Sequence, residues 1–141
     1  MNHYTELQKR QQQEVNALPL GFAFSNKQFA EMMEKWGLDP ERDLDQICSI
    51  GFGGYIQKKD MDLMHETFAR HRAEHAEAIK TDKEYIYQMF LHELDNHEYG
   101  YTCDPTDALA ALGYTLEQVV TDKRLWKGFE RACKEIMRRS Q

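Results

Sequence analysis

Along most of the chain apolar residues recur every three or four positions, the period of an amphipathic helix, and helix-start and helix-stop residues punctuate the runs. Tyr4 to Asn16 reads as a polar, Gln-rich helix with Tyr4, Leu7 and Val15 as a thin apolar stripe, ended by Pro19 and Gly21. Phe22-Ala23-Phe24 is a short apolar lead into Ser25-Asn26-Lys27-Gln28, the spacing of a capping box. The helix it opens carries Phe29, Met32, Met33 and Trp36 on one side and stops at Gly37, which can take the left-handed conformation. Asp39-Pro40 begins a turn or short helix through Leu44. Ile47 to Ile56 then sets Gly51, Gly53 and Gly54 among β-branched and aromatic residues, which predicts a short β-hairpin near residues 47–57.

Asp60 is placed to cap a helix running to about Lys80, with Met61, Met64, Phe68, Arg72, His75 and Ile79 on its face. Thr81-Asp82-Lys83-Glu84 has the form of a second capping box, and the helix after it shows Ile86, Met89, Phe90 and Leu94 on one side, so the two helices are predicted to form an antiparallel pair. Tyr99-Gly100-Tyr101-Thr102 interrupts the pattern and Asp104-Pro105 restarts it. Ala108 to Leu112 is a short helix closed by Gly113, and Thr115 to Gln118 repeats the capping signature. The last helix, from about Asp122 to Arg138, has the strongest stripe: Leu125, Trp126, Phe129, Ala132, Cys133, Ile136 and Met137. Gly128 inside it costs about 1 kcal/mol relative to alanine, which points to a neighbouring backbone lying close. The fold class is therefore mainly α, a compact multi-helix domain with one short hairpin, α+β being the alternative. The expected organisation is an N-terminal helical arm over residues 1–17 and a single helix-rich globular domain over 18–141.

Composition supports a folded chain: 41% of the 141 residues are hydrophobic, well away from disordered composition. No apolar run approaches the roughly 20 residues of a membrane span, and the first residues lack the basic-then-apolar pattern of a leader, so a cytoplasmic protein is expected. Three widely spaced cysteines, Cys48, Cys103 and Cys133, are read as reduced thiols rather than a disulfide framework or zinc site. The net charge of −6 disfavours a general phosphate-binding surface, yet it hides a segregation. From Asp82 to Asp122 nine acids face Lys83 alone, whereas Lys123 to Arg139 carries seven bases against Glu130 and Glu135.

Among candidates for chemistry, His71-Arg72-Ala73-Glu74-His75 fits the H-x-x-E-H pattern, in which two histidines four apart on a helix hold zinc and the glutamate polarises its water. A third protein ligand is not identifiable, and the favoured reading puts His75 on the core stripe beside Phe68 with His71 and Glu74 solvated. His92 and His97 are five apart and diverge by about 140° around a helix, so they do not share a metal. Glu93 and His97 are four apart on the side of Ile86 and Phe90, and read as a buried polar pair that ends one helix and orients the next. Gly51-Phe52-Gly53-Gly54 before Lys58-Lys59 lacks the G-K-[ST] ending of a phosphate loop and reads as a tight turn. Lys127, Arg131, Lys134 and Arg138 form a basic stripe on the last helix. It suits a solvated face, and is also the candidate for tracking phosphates. No catalytic set and no cofactor is assigned.

Phe22-Ala23-Phe24-Ser25, Gly53-Gly54-Tyr55-Ile56, Phe68-Ala69-Arg70-His71 and the stretch from Glu93 to Asp107 resemble a family of small uncharacterised proteins carried by phages and conjugative elements of gut bacteria. Asn96-His97-Glu98-Tyr99-Gly100-Tyr101-Thr102 is the most telling part, and the resemblance covers most of the chain from Leu18 onward. It assigns no activity, so no catalytic residue is carried over. It implies a setting, an accessory protein of a mobile element, where small acidic domains are sometimes inhibitors of host defence nucleases.

These readings converge on a non-enzymatic protein-interaction module with a protein partner, in which Asp95, Glu98, Asp104 and Asp107 imitate nucleic acid toward a basic surface. The alternatives are a small zinc-dependent hydrolase using His71, Glu74 and His75, and nucleic-acid binding through Lys127, Arg131, Lys134 and Arg138.

Overall fold

Residues 2–141 are described by a computed structural model. Among them eight α-helices and three strands follow in the order α1 (His3–Asn16), β1 (Leu20–Phe22), α2 (Asn26–Lys35), β2 (Ile47–Gly51), β3 (Gly54–Gln57), α3 (Met61–Thr81), α4 (Lys83–Asn96), α5 (Tyr99–Thr102), α6 (Thr106–Ala111), α7 (Leu116–Thr121) and α8 (Lys123–Arg139). The fold is mainly α with one small antiparallel sheet. No helix among the described residues is long and apolar enough to cross a membrane. Packing divides the chain into two compact units, Gln13–His71 and Met1–Gln12 with Arg72–Gln141, so α1 and α3 each supply residues to both.

In the Gln13–His71 unit the sheet has the order β1-β3-β2. The expected hairpin is β2–β3, with an irregular register between Ser49 and Gly51. Strand β1 is an addition to the sequence reading, which took this segment only as a lead into α2. Three residues are too few to show a period, and β1 becomes a strand by pairing Leu20 with Ile56 and Phe22 with Gly54, far along the chain. Gly21 between them faces α2: a Cβ there would lie 2.6 Å from Met32 Sδ and 2.8 Å from Trp36 Cζ2, so only glycine lets the strand lie this close. Tyr55, Ile47, Met33 and Phe29 belong to the same apolar cluster, while Ile56, Leu20 and Cys48 join Leu18, Met64 and Phe68 in a second. Alternate residues along β3 thus serve two clusters, as the two-residue period of a strand requires. Ser25 caps α2 by accepting from the Gln28 amide at 3.1 Å, and the Gln28 side chain accepts from the Phe24 amide at 2.8 Å.

The other unit is built around α4, whose Tyr85, Ile86, Met89, Phe90 and Leu94 are all buried. The sequence pairs α4 with α3, but its most extensive partner is α8. The stripe of Leu125, Phe129, Ala132 and Ile136 is the larger apolar surface on offer. Trp126 and Met137, expected on that stripe, lie at its exposed margin. Gly128 approaches Ile86 and Tyr87, while Ile136 and Ser140 approach Gly100 just beyond the end of α4, so the two helices run in the same direction. Tyr4 and Leu7 of α1, the segment expected as an arm, are buried in the same core.

Two local expectations are corrected here. Asp82 and not Thr81 caps α4, accepting from the Glu84 amide at 3.0 Å, because Thr81 is the last residue of α3 and donates its hydroxyl to Glu77 O at 2.8 Å. Tyr99–Thr102 is not a break but a single helical turn, flanked by Glu98 and Cys103 in left-handed backbone at φ 58° and 59°. Neither residue is a glycine, so nothing in the local sequence announced these bends. The Thr115–Gln118 capping box forms as expected.

Candidate functional site

The charge segregation read from the sequence becomes a groove of about 270 Å³ between the first turns of α4 and α8. Lys83 comes from α4 and Lys123, Arg124, Lys127 and Arg131 from α8, with Glu84 as the one acid. Tyr87 and Gly128 line it as well. A Cβ on Gly128 would lie 2.5 Å from Ile86 Cγ2 and 3.3 Å from the Tyr87 amide nitrogen, which explains the glycine at this helix crossing. Arg131 stacks 3.7 Å above the Tyr87 ring and donates to Glu84 at 2.6 Å. Arg124 donates to the Ile79 carbonyl at 2.8 Å. Lys83, Lys123 and Lys127 make no ion pair among the described residues.

The basic stripe expected along α8 is divided by its neighbours. Lys134 meets Glu130 at 3.6 Å. Arg138 grips both oxygens of Glu135, Arg139 adds a contact at 3.2 Å, and the paired guanidinium of Arg138 pulls the Glu135 carboxyl down to about 2. Only Lys127 and Arg131 of the four predicted residues enter the groove. Lys83, Lys123 and Arg124, which complete it, were not singled out in the sequence. Each follows a capping aspartate, Asp82 or Asp122, and that repeated pairing was the available signal.

Of the acidic candidates, Asp95 and Glu98 line an open concavity of about 720 Å³ with Tyr101, Arg139 and Ser140. Tyr101 stands 91% exposed there. Asp104 accepts from the amide and hydroxyl of Thr106 at 2.9 and 2.6 Å, which holds its carboxyl below the usual range and makes it a start signal for α6. Asp107 lies in the first turn of α6.

Glu93 and His97 face each other at 3.5 Å with side chains 15% and 34% exposed, so both are only partly buried. His97 is the residue that ends α4 and turns toward solvent, while Glu93 also accepts from the Tyr4 hydroxyl at 3.1 Å. The two histidines of the H-x-x-E-H motif meet different neighbours. His71 is buried, packs its ring against Phe68 and sets Nε2 3.5 Å from Glu14. His75 is half-buried, and its Nδ1 shares a 2.6 Å hydrogen bond with the Tyr85 hydroxyl. Desolvation lowers the His75 pKa. Glu74 takes Arg10 at 2.5 Å. The burial order expected for the histidines is thus reversed: Phe68 sits with His71, three residues on, and not with His75. No cluster of metal-ligating atoms among the described residues contains both His71 and His75.

One surface escaped the sequence reading. Phe22, Phe24 and Phe52 are 57%, 74% and 99% exposed, and all three belong to one end of the sheet. Phe22 is paired with Gly54, the Phe24 ring lies over Gly53, where a Cβ would be 2.4 Å from it, and Phe52 is the hairpin tip. Phe52 adopts left-handed backbone at φ 52°, an outlier for a bulky residue. The signal in the sequence was the alternation Phe22-Ala23-Phe24 together with a phenylalanine set among glycines, features that a turn prediction treats as incidental.

No curated protein and no solved structure matches the chain. A family profile does, over residues 3–135, spanning both units and all eight helix starts, and the chain accordingly belongs to the family of unknown function DUF7659.

Proposed function

We propose that the protein is a non-enzymatic interaction module that docks on a protein partner through the aromatic tip formed by Phe22, Phe24 and Phe52. The observation that carries this reading is the exposure of three phenylalanines at one end of a three-stranded sheet. Full burial of an exposed phenylalanine is worth about 2 kcal/mol, so the tip, with Phe22 and Phe24 partly covered already, offers roughly 4–5 kcal/mol before the cost of association. That cost is about 4–15 kcal/mol, so the tip serves as the anchor of a larger contact rather than as the whole of it. Clustered aromatic anchors of this kind dominate protein interfaces. The strained φ at Phe52 supports the same reading, because an exposed left-handed phenylalanine brings the fold no packing in return.

We read the module as an accessory protein with a host protein as its partner, the setting that the resemblance to proteins of phages and conjugative elements implies. For a defence nuclease, the exposed acids Asp95 and Glu98 beside Tyr101 supply negative charge complementary to a nucleic-acid-binding surface.

The test is affinity capture from host lysate with the full chain and with the variant F22S/F24S/F52S, captured proteins being identified by mass spectrometry. A partner retained by the wild-type chain and by D95N/E98Q, but lost with the triple variant, supports docking through the tip. Identical captures by wild type and triple variant overturn it. So does flotation of the wild-type chain with phosphatidylglycerol vesicles that the triple variant loses, which would assign the tip to a lipid surface.

A further inference from the structure

We infer that the groove between the first turns of α4 and α8 is a binding site for the phosphoryl group of a small phosphate ester or pyrophosphate, held by Lys83, Lys123, Lys127 and Arg131. The inference stands on observations separate from those behind the aromatic tip.

The first is the placement of charge. A chain of net charge −6 gathers five cations and one acid around a single concavity. Elsewhere on α8 the cations have partners: Lys134 with Glu130, Arg138 and Arg139 with Glu135. Within the groove, Lys83, Lys123 and Lys127 have none among the described residues. Like charges converging without a counter-ion repel one another, and a bound dianion reverses the sign of that interaction.

Preorganisation is the second. Arg131 is fixed by stacking on Tyr87 and by its bond to Glu84, and Arg124 is tied to the Ile79 carbonyl. A guanidinium has five N–H donors, so each arginine retains donors for a ligand after these contacts. The crossing of α8 over α4 at Gly128 sets the floor of the groove. The capping carboxylates of Asp82 and Asp122 already accept from the first amides of both helices, which leaves the side-chain cations as the binding groups.

Size decides the class of ligand. A volume of about 270 Å³ lies just under the usual range of small-molecule sites, enough for a phosphate with a sugar-sized group. A nucleic-acid track needs cations continuing along the helix, and beyond Arg131 they are neutralised by Glu130 and Glu135.

Isothermal titration of the full chain with inorganic pyrophosphate, a nucleoside triphosphate and a single-stranded oligonucleotide tests this. The expected result is saturable one-to-one binding of pyrophosphate and the nucleotide. K123Q and K127Q should each weaken it about tenfold, as loss of one charge-assisted hydrogen bond does, while K134Q leaves it unchanged. Circular dichroism of the variants keeps folding out of the comparison, since all three lysines are exposed. Absence of saturable pyrophosphate binding, or equal weakening by K134Q, overturns the inference. Tight oligonucleotide binding that pyrophosphate fails to displace overturns it in favour of a polymer.

Discussion

Gly128 is the position at which the structure makes its most quantitative demand. An alanine there would bring Cβ to 2.5 Å from Ile86 Cγ2 and 3.3 Å from Ile86 Cβ, against the roughly 3.5–4.0 Å at which carbon atoms rest. Ile86 is fully buried and β-branched on a helix, where one χ1 rotamer dominates, so its methyl has nowhere to turn. Helix α8 must therefore lift by about 1 Å and loosen the edge-to-face contact of Phe90 with Phe129, now at 5.4 Å. Overpacking of this kind costs about 1–3 kcal/mol, and replacing a mid-helix glycine returns about 1, so G128A should destabilise by about 1 kcal/mol. G128V, which forgoes most of the helix gain and adds two methyls, should cost about 3.

The decisive assay is a double-mutant cycle with I86A, which deletes the offending methyl. Stability is read by urea unfolding followed through Trp126 fluorescence in a Trp36→Phe background, because the two tryptophans lie in different units. I86A alone should cost about 2–5 kcal/mol, and the pair should cost less than the sum by at least about 0.5. Additive losses would refute the close approach as the reason for the glycine.

Further expectations follow from single contacts. Desolvation lowers the His75 pKa beneath its unfolded value of about 6.5. The unfolded chain then binds the extra proton first, so the contribution of this site is complete above about pH 6.5 and is lost as pH falls below it. H75F should flatten the pH dependence of the urea midpoint below about pH 6.5, and an unchanged slope would show that His75 is not its source. F52G should leave stability unchanged or raise it by up to about 1 kcal/mol, since it relieves left-handed strain at a fully exposed ring, and should weaken the proposed docking. A loss of more than about 1 kcal/mol would mean that the ring packs. Thiol titration should find exposed Cys103 reacting first and Cys133 slowly, because burial raises the Cys133 pKa, and the reverse order would contradict the described burial.

Helix positions were legible wherever the period extended over several turns. The α4 and α8 stripes, the Ser25 and Thr115 caps and the Gly37 stop follow from side chains acting within one or two turns. Gly128 could be read as a close approach because an interior glycine costs stability with no local return. The one-turn helix at Tyr99–Thr102 was not legible, since Glu98 and Cys103 enter left-handed backbone without being glycine. Strand β1 was not legible either, for its hydrogen bonds come from a partner strand far along the chain, Leu20 pairing with Ile56 and Phe22 with Gly54.

The same division holds for the charged and aromatic surfaces. That the chain concentrates acids before Asp122 and bases after it is a property of the sequence alone. Whether a lysine on α8 is spent or available is decided by which carboxylate the packing brings near, Glu130 for Lys134 and none among the described residues for Lys123 and Lys127. Periodicity reports which way a side chain points around its own helix, and charge pairing depends on distances of a few ångströms between elements remote in the chain. The aromatic tip has the same origin: Phe22, Phe24 and Phe52 belong to two distant segments, and only the register of β1 on β3 makes them one surface.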